Sequence, residues 1–240
     1  MTSLNRFLSA PAFIVTGTAR SATGYIAAVL SAAGLLCGHE GWYAVGAAGP
    51  ARGLPHSDPA RSLLWPVRRM RLEVRRRRAG LVGDASWLAV PWLARYRGLV
   101  YLQVRHPLSV IRSLVGMRFF SRSADESAFR AFVGRHFPIT GDDVVDSMRW
   151  WVEWNKRALN YCDRWWRVEH LGPDGVAEVL DDLGIPDSRS HAARALESVP
   201  IINSASERGF RLPTLSWDDL PKGADLDRLL HVSEHFGYRE

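Results

Sequence analysis

Phe13-Ile14-Val15-Thr16-Gly17-Thr18-Ala19-Arg20-Ser21-Ala22-Thr23-Gly24 is an apolar strand that empties into a loop of small residues and then into a helix beginning near Ser21. In such a unit, consecutive backbone N–H groups and a helix N-terminus converge on a phosphate-like group. The loop is not the lysine-bearing form Gly-x-x-x-x-Gly-Lys-Ser/Thr, in which the lysine reaches the terminal phosphates and the hydroxyl holds Mg²⁺. The second glycine and the lysine are missing, and a single Arg20 sits in the middle of the turn. An anion is expected to be held here by arginine and amides, without a metal.

A second unit carries the same theme. Leu99-Val100-Tyr101-Leu102-Gln103-Val104 is a buried-type strand, Arg105 sits at its C-terminal end, and Pro107 opens the next helix, where a missing N–H costs nothing. Ser113 lies about two turns into that helix. Two anion-binding groups on one strand–helix unit, beside a phosphate loop, imply a ligand with two separate charged groups.

These residues resemble the PAPS-dependent sulfotransferases, and the bacterial P-loop members above all. In that family a basic-Ser-small-Thr core binds the 5′-phosphosulfate, and an Arg followed eight positions later by a Ser binds the 3′-phosphate. Arg20-Ser21-Ala22-Thr23 matches the first motif, with Ala22 where the family usually carries Gly, and Arg105 with Ser113 matches the second. Cys37-Gly38-His39-Glu40, Trp151-Val152-Glu153-Trp154-Asn155 on a late helix and Arg167-Val168-Glu169-His170-Leu171 as a late strand are similar too, so the resemblance runs over most of the chain. It implies PAPS as co-substrate and adenosine 3′,5′-bisphosphate as product, held by Thr18, Ala19, Arg20, Ser21, Ala22, Thr23, Gly24, Arg105 and Ser113. Arg208-Gly209 is similar to a C-terminal Arg-Lys-Gly element that touches the 3′-phosphate, with the middle Lys absent. Arg20 would stabilise charge on the bridging oxygen of the leaving phosphate. Glu40 is the first candidate for the base that takes the acceptor's proton and His39 the second, because members of this fold use either type.

The rest of the chain agrees with a single α/β domain over residues 1–240. Strands and helices alternate, which implies a three-layer, P-loop-like fold with a central parallel sheet flanked by helices. Strands are read at 12–17, 36–39, 81–83 (ending at Asp84-Ala85-Ser86), 99–104 and 165–168. Helices are read at 22–35, 61–78, 87–96, 107–119, 142–163, 173–183 and 224–235. Residues 41–60 read as a loop, 120–140 as irregular or partly helical, and 198–223 as a loop-like tail. In an open α/β sheet, ligands bind beyond the C-terminal strand ends. The 17–23 loop, His39 with Glu40, Asp84 with Ser86, and Arg105 all fall at such ends. Glu40, Asp84 and Ser86 are therefore candidate substrate-binding residues. The bland readings are helix capping for Arg20, Thr23, Asp84 and Ser86, a surface role for Arg105 and Ser113, and a solvated acid for Glu40. Because adjacent strand residues point to opposite faces, only one of His39 and Glu40 is expected to face the site.

Composition sets the outer bounds. With 47% hydrophobic residues in 240, the chain is globular and large enough for a sizeable core. Two cysteines, Cys37 and Cys162, make no disulfide framework, and no apolar run is long enough to span a bilayer, so a reduced cytoplasmic setting is expected. A net charge of +6 suits anionic ligands. The run Arg68, Arg69, Arg71, Arg75, Arg76, Arg77 and Arg78 reads first as a solvated helix face, with nucleic acid, acidic lipid or an anionic acceptor as its other uses. No Cys/His spacing fits zinc. Two rival functions remain at this level: a nucleotide kinase, and a non-catalytic binder of anions or nucleic acid that uses the arginine run. The expected acceptor is a small molecule or glycan bearing a hydroxyl or amine.

Overall fold

The computed structural model describes residues 11–43, 83–121, 128–200 and 212–238. The helix read over 61–78 with its arginines, Leu81 and Val82, residues 44–60, and Arg208-Gly209 lie outside the described residues.

Among those residues, β1 (Phe13–Thr16), β2 (Cys37–His39), β3 (Gly83–Ala85), β4 (Leu99–Val104) and β5 (Arg164–Arg167) form one parallel sheet in the order β2-β3-β1-β4-β5. The inner strands β1 and β4 are apolar but for Thr16 and Gln103, because both faces of a parallel sheet are covered. Their side chains alternate between two cores. Ile14, Val100, Leu102 and Val104 enter one, and Phe13, Val15 and Tyr101 enter the other. The first core is closed by helices α2 (Pro107–Gly116), α3 (Ala128–Val133), α4 (Asp143–Leu159) and α7 (Ala224–His235). The second is closed by α1 (Thr23–Ala32), α5 (Pro173–Asp182) and α6 (Ser188–Ser198). This is the three-layer α/β architecture that the alternation of elements implies.

The strand order fixes where a ligand can sit. The chain leaves β1 toward β2 on one side, returns through β3, and crosses to β4 on the other side. The loops after β1 and β4 therefore diverge over one crevice, the switch point at which open α/β sheets bind ligands. Those loops carry Arg20 and Arg105.

Several elements differ from the sequence reading. Residues 87–95 wind as a 3₁₀ helix, since Pro91 in the middle has no N–H to give an α-helical bond. Arg167–Leu171 does not continue as strand: β5 closes at Arg167, and Val168–His170 turns so that Glu169 reaches back to the end of β4. Helix α6 escaped the sequence reading because it opens on a left-handed Asp187 with no side-chain cap and buries only small residues, Ser188, Ala192 and Ala195. The tryptophans divide. Trp150, Trp151 and Trp154 are fully buried, with Trp150 stacked on Trp154 at 3.7 Å, whereas Trp165 on the edge strand is 39% exposed beside Phe236. No helix among the described residues is long and apolar enough to cross a membrane.

Candidate anion-binding site

Beyond β1 the chain is folded tightly against its neighbours. Gly17 is dictated by contact: a Cβ there would run into the Gln103 carbonyl of β4 and the Ser21 hydroxyl. Thr16 Oγ1 donates to the Ser86 carbonyl at 2.9 Å, which ties the ends of β1 and β3 together. Ser21 closes the loop on itself, its N–H and its hydroxyl both donating to the Thr18 carbonyl at 3.2 and 2.6 Å. The buried side chain of Gln103 donates to the Ser21 carbonyl and accepts from the Trp166 indole. Thr18 Oγ1 is buried with no hydrogen-bond partner among the described residues.

Two non-glycine residues in this loop are left-handed, Arg20 at φ 72° and Ala22 at φ 61°. A left-handed residue followed by a helical one turns successive N–H groups into a single concavity, which favours an anion. Ala22 directly precedes α1 and offers no capping oxygen, so the first amides of that helix lack a side-chain acceptor there. The partial positive charge of the helix start adds to the same concavity.

The arginine of the loop meets the second unit directly. Arg20 Nε donates to Ser113 Oγ at 2.8 Å, and Arg105 Nη1 donates to the Arg20 carbonyl at 2.9 Å. Arg20, Ser113 and Arg105 therefore form one cluster. Ser113 is nearly fully buried on α2 and Arg105 is half-buried at the end of β4. Burial pushes the Arg105 guanidinium below the usual arginine range, partly offset by Glu169 and Tyr238. The ion pairs of the described residues do not include it. A desolvated cation that belongs to no ion pair is stabilised further by an anion that reaches it.

The end of β4 is clamped from three elements. The Trp151 indole N–H donates to the Arg105 carbonyl at 2.9 Å. The His106 N–H donates to Glu169 Oε1 at 2.8 Å. The Tyr238 hydroxyl lies 2.6 Å from Glu169 Oε2 and 3.0 Å from the Val104 carbonyl.

On the β2 side the expected split between His39 and Glu40 does not occur. β2 ends at His39, and Glu40 is left-handed at φ 51°, which breaks strand alternation and swings its carboxylate back. His39 Nε2 lies 3.6 Å from Glu40 Oε1 and 3.2 Å from Thr23 Oγ1, the first residue of α1. Both candidate bases thus sit beside the anion loop. Asp84 and Ser86 are buried and bonded to backbone. Asp84 accepts from the N–H groups of Gly41, Trp42 and Tyr43 at 2.9, 3.0 and 3.4 Å, and so fixes the loop that carries Glu40. It does not cap the following helix; Ser86 does, accepting from Leu88 N–H at 3.2 Å.

Sequence reasoning passed over Gln103, Glu169 and Tyr238. Gln103 had a visible signal, as the one polar residue inside the apolar run 99–104. The other two act through backbone groups at the β4 end, and no spacing rule marks them.

No family model matches the chain, and no sequence of a characterised protein matches it. Among solved structures it is similar to a sulfotransferase from Alicyclobacillus acidocaldarius, at 16% identity over 95% of this chain and 92% of that one, with a TM-score of 0.41. A likeness of that depth assigns no activity.

Proposed function

We propose that this chain is a sulfotransferase that uses PAPS as donor and a hydroxyl or amine of a small molecule or glycan as acceptor. The observation that carries the reading is the meeting of Arg20, Ser113 and Arg105, brought from separate strand–helix units to one crevice by hydrogen bonds of 2.8 and 2.9 Å. The residues present suit such a donor. A left-handed loop and an uncapped helix start fit one anionic group, and a half-buried guanidinium outside every ion pair among the described residues fits a second.

When bound, PAPS supplies an activated sulfuryl group. The loop and helix-start amides between residues 18 and 24, with Thr23, orient its 5′ end, Ser21 keeps that loop closed through the Thr18 carbonyl, and the Arg20 guanidinium offsets charge there. Arg105 and Ser113 hold the 3′-phosphate, Arg105 as a two-pronged donor. Glu40, in contact with His39, takes the acceptor's proton at a carboxylate oxygen, and Asp84 keeps that carboxylate in place through the 41–43 amides. Positioning and charge stabilisation dominate in group transfers of this type.

The test is calorimetric titration of adenosine 3′,5′-bisphosphate, 5′-AMP and Mg-ATP into the wild-type chain and into Arg105→Ala. Tight binding that needs the 3′-phosphate and no metal, and that is lost in Arg105→Ala, is the expected result. Preference for Mg-ATP, or unchanged bisphosphate affinity in Arg105→Ala, overturns the assignment.

A further inference from the structure

The guanidinium of Arg105 is only as well placed as the three backbone groups around it. Where β4 ends and the next helix begins, Val104, Arg105 and His106 each give a backbone polar atom to a side chain from a distant element. Two of the three contacts run through one pair. Glu169 receives the His106 N–H on one oxygen and the Tyr238 hydroxyl on the other. Tyr238 follows α7, near the end of the chain, and its ring lies edge-on to the His106 ring at 5.1 Å between centroids. Arg167 holds the same turn from the other side, donating to the Gly237 carbonyl at 2.7 Å, with its guanidinium carbon 5.7 Å from the Tyr238 ring centroid.

We infer that Tyr238 and Glu169 form a strut that positions Arg105 for a phosphate-type anion, so that the C-terminal turn is part of the anion site. The inference rests on the donor reading above for the identity of that anion. Neither residue needs to touch the ligand. Both act by fixing the main chain on either side of Arg105, and a shift of the β4 end moves the guanidinium relative to Ser113 and the Arg20 loop. A displacement of about 1 Å is enough to lose most of the benefit of a preorganised contact.

The choice of variants separates positioning from simple support of the fold. Tyr238→Phe removes the hydroxyl and leaves the ring against His106, and Glu169→Gln removes the charge and keeps the shape. Both are titrated as full-length chains with adenosine 3′,5′-bisphosphate and with 5′-AMP, alongside melting curves. The expected result is a loss of about tenfold for the bisphosphate, the scale of one hydrogen bond to a charged partner, with less than about twofold for 5′-AMP. A variant that merely loosens the fold lowers the melting temperature and weakens both ligands together, and that outcome, or no change in either, overturns the strut. The Arg105 Nε–H NMR signal gives a readout that needs no nucleotide. It should shift or broaden in Tyr238→Phe, and an unchanged signal refutes the strut. If wild type does not distinguish the bisphosphate from 5′-AMP, the donor reading fails, and the NMR signal alone then decides whether the strut stands.

Discussion

Ala22 lies at φ 61° and ψ 31°, a left-handed position immediately before α1. For an L-residue with a Cβ that conformation costs about 1–2 kcal/mol. Ala22→Gly removes the cost. It also gives the unfolded chain more freedom, worth about 0.5–1 kcal/mol, and forfeits the burial of a partly covered methyl, worth about a few tenths. The balance is a gain of about 0.5 kcal/mol. Ala22→Val moves the other way, because a β-branched residue in the left-handed region sits near the upper end of backbone strain, about 2–3 kcal/mol. The two variants should therefore differ by about 1.5 kcal/mol, which for a chain of this size is roughly 3–6 °C in melting temperature. Thermal unfolding followed by circular dichroism, with the order Gly above Ala above Val, is the expected outcome. A valine variant as stable as wild type would mean that residue 22 is not left-handed, and the anion concavity argued from it would fall.

Three further outcomes are expected. Glu40→Gln should lower turnover with an accepting phenol or sugar alcohol by about 10²–10³-fold while leaving bisphosphate affinity within twofold; if His39→Asn has that effect and Glu40→Gln does not, His39 is the base. Burial holds the His106 imidazole below its ordinary 6.5, so the unfolded chain takes up a proton first on acidification, and stability should fall as pH drops from 6.5 toward the depressed native value. Urea melts of wild type against His106→Asn at pH 7.5 and 5.5 read this, and an identical pH dependence in the variant would exclude His106 as its source. Asn155 is fully buried with neither its amide nitrogen nor its amide oxygen bonded among the described residues, so Asn155→Leu should stabilise the fold by about 1–2 kcal/mol; a lower melting temperature would show that the amide is satisfied.

The fold was legible where the physics is local. Phe13–Thr16 and Leu99–Val104 are apolar runs that meet loop signals on both sides, and both proved to be inner strands of the sheet. Pro107 and Asp142 announced the starts of α2 and α4 by chemistry that needs no tertiary contact, Asp142 accepting from the Val144 and Val145 amides. What escaped the sequence depends on three dimensions. The left-handed Glu40 overrides the alternation that would have separated it from His39, and no neighbour in sequence foretells that turn. Glu169 and Tyr238 are legible only once β4 and the end of α7 stand side by side. Asp84 resembles a helix cap by position and is instead the acceptor for a loop more than forty residues earlier.

The distances along the chain between cluster members bear on how the protein is made. Arg20 is 93 residues from Ser113 and 85 from Arg105, and its loop is held by the distant β4–α2 unit. The anion site is therefore absent until β1 has paired with β4 across a parallel crossover. A nascent chain has no such affinity until residue 113 has left the ribosome and the central strands have met. A bound anion then favours the folded chain over the unfolded one, so ligand would prolong the life of the finished protein.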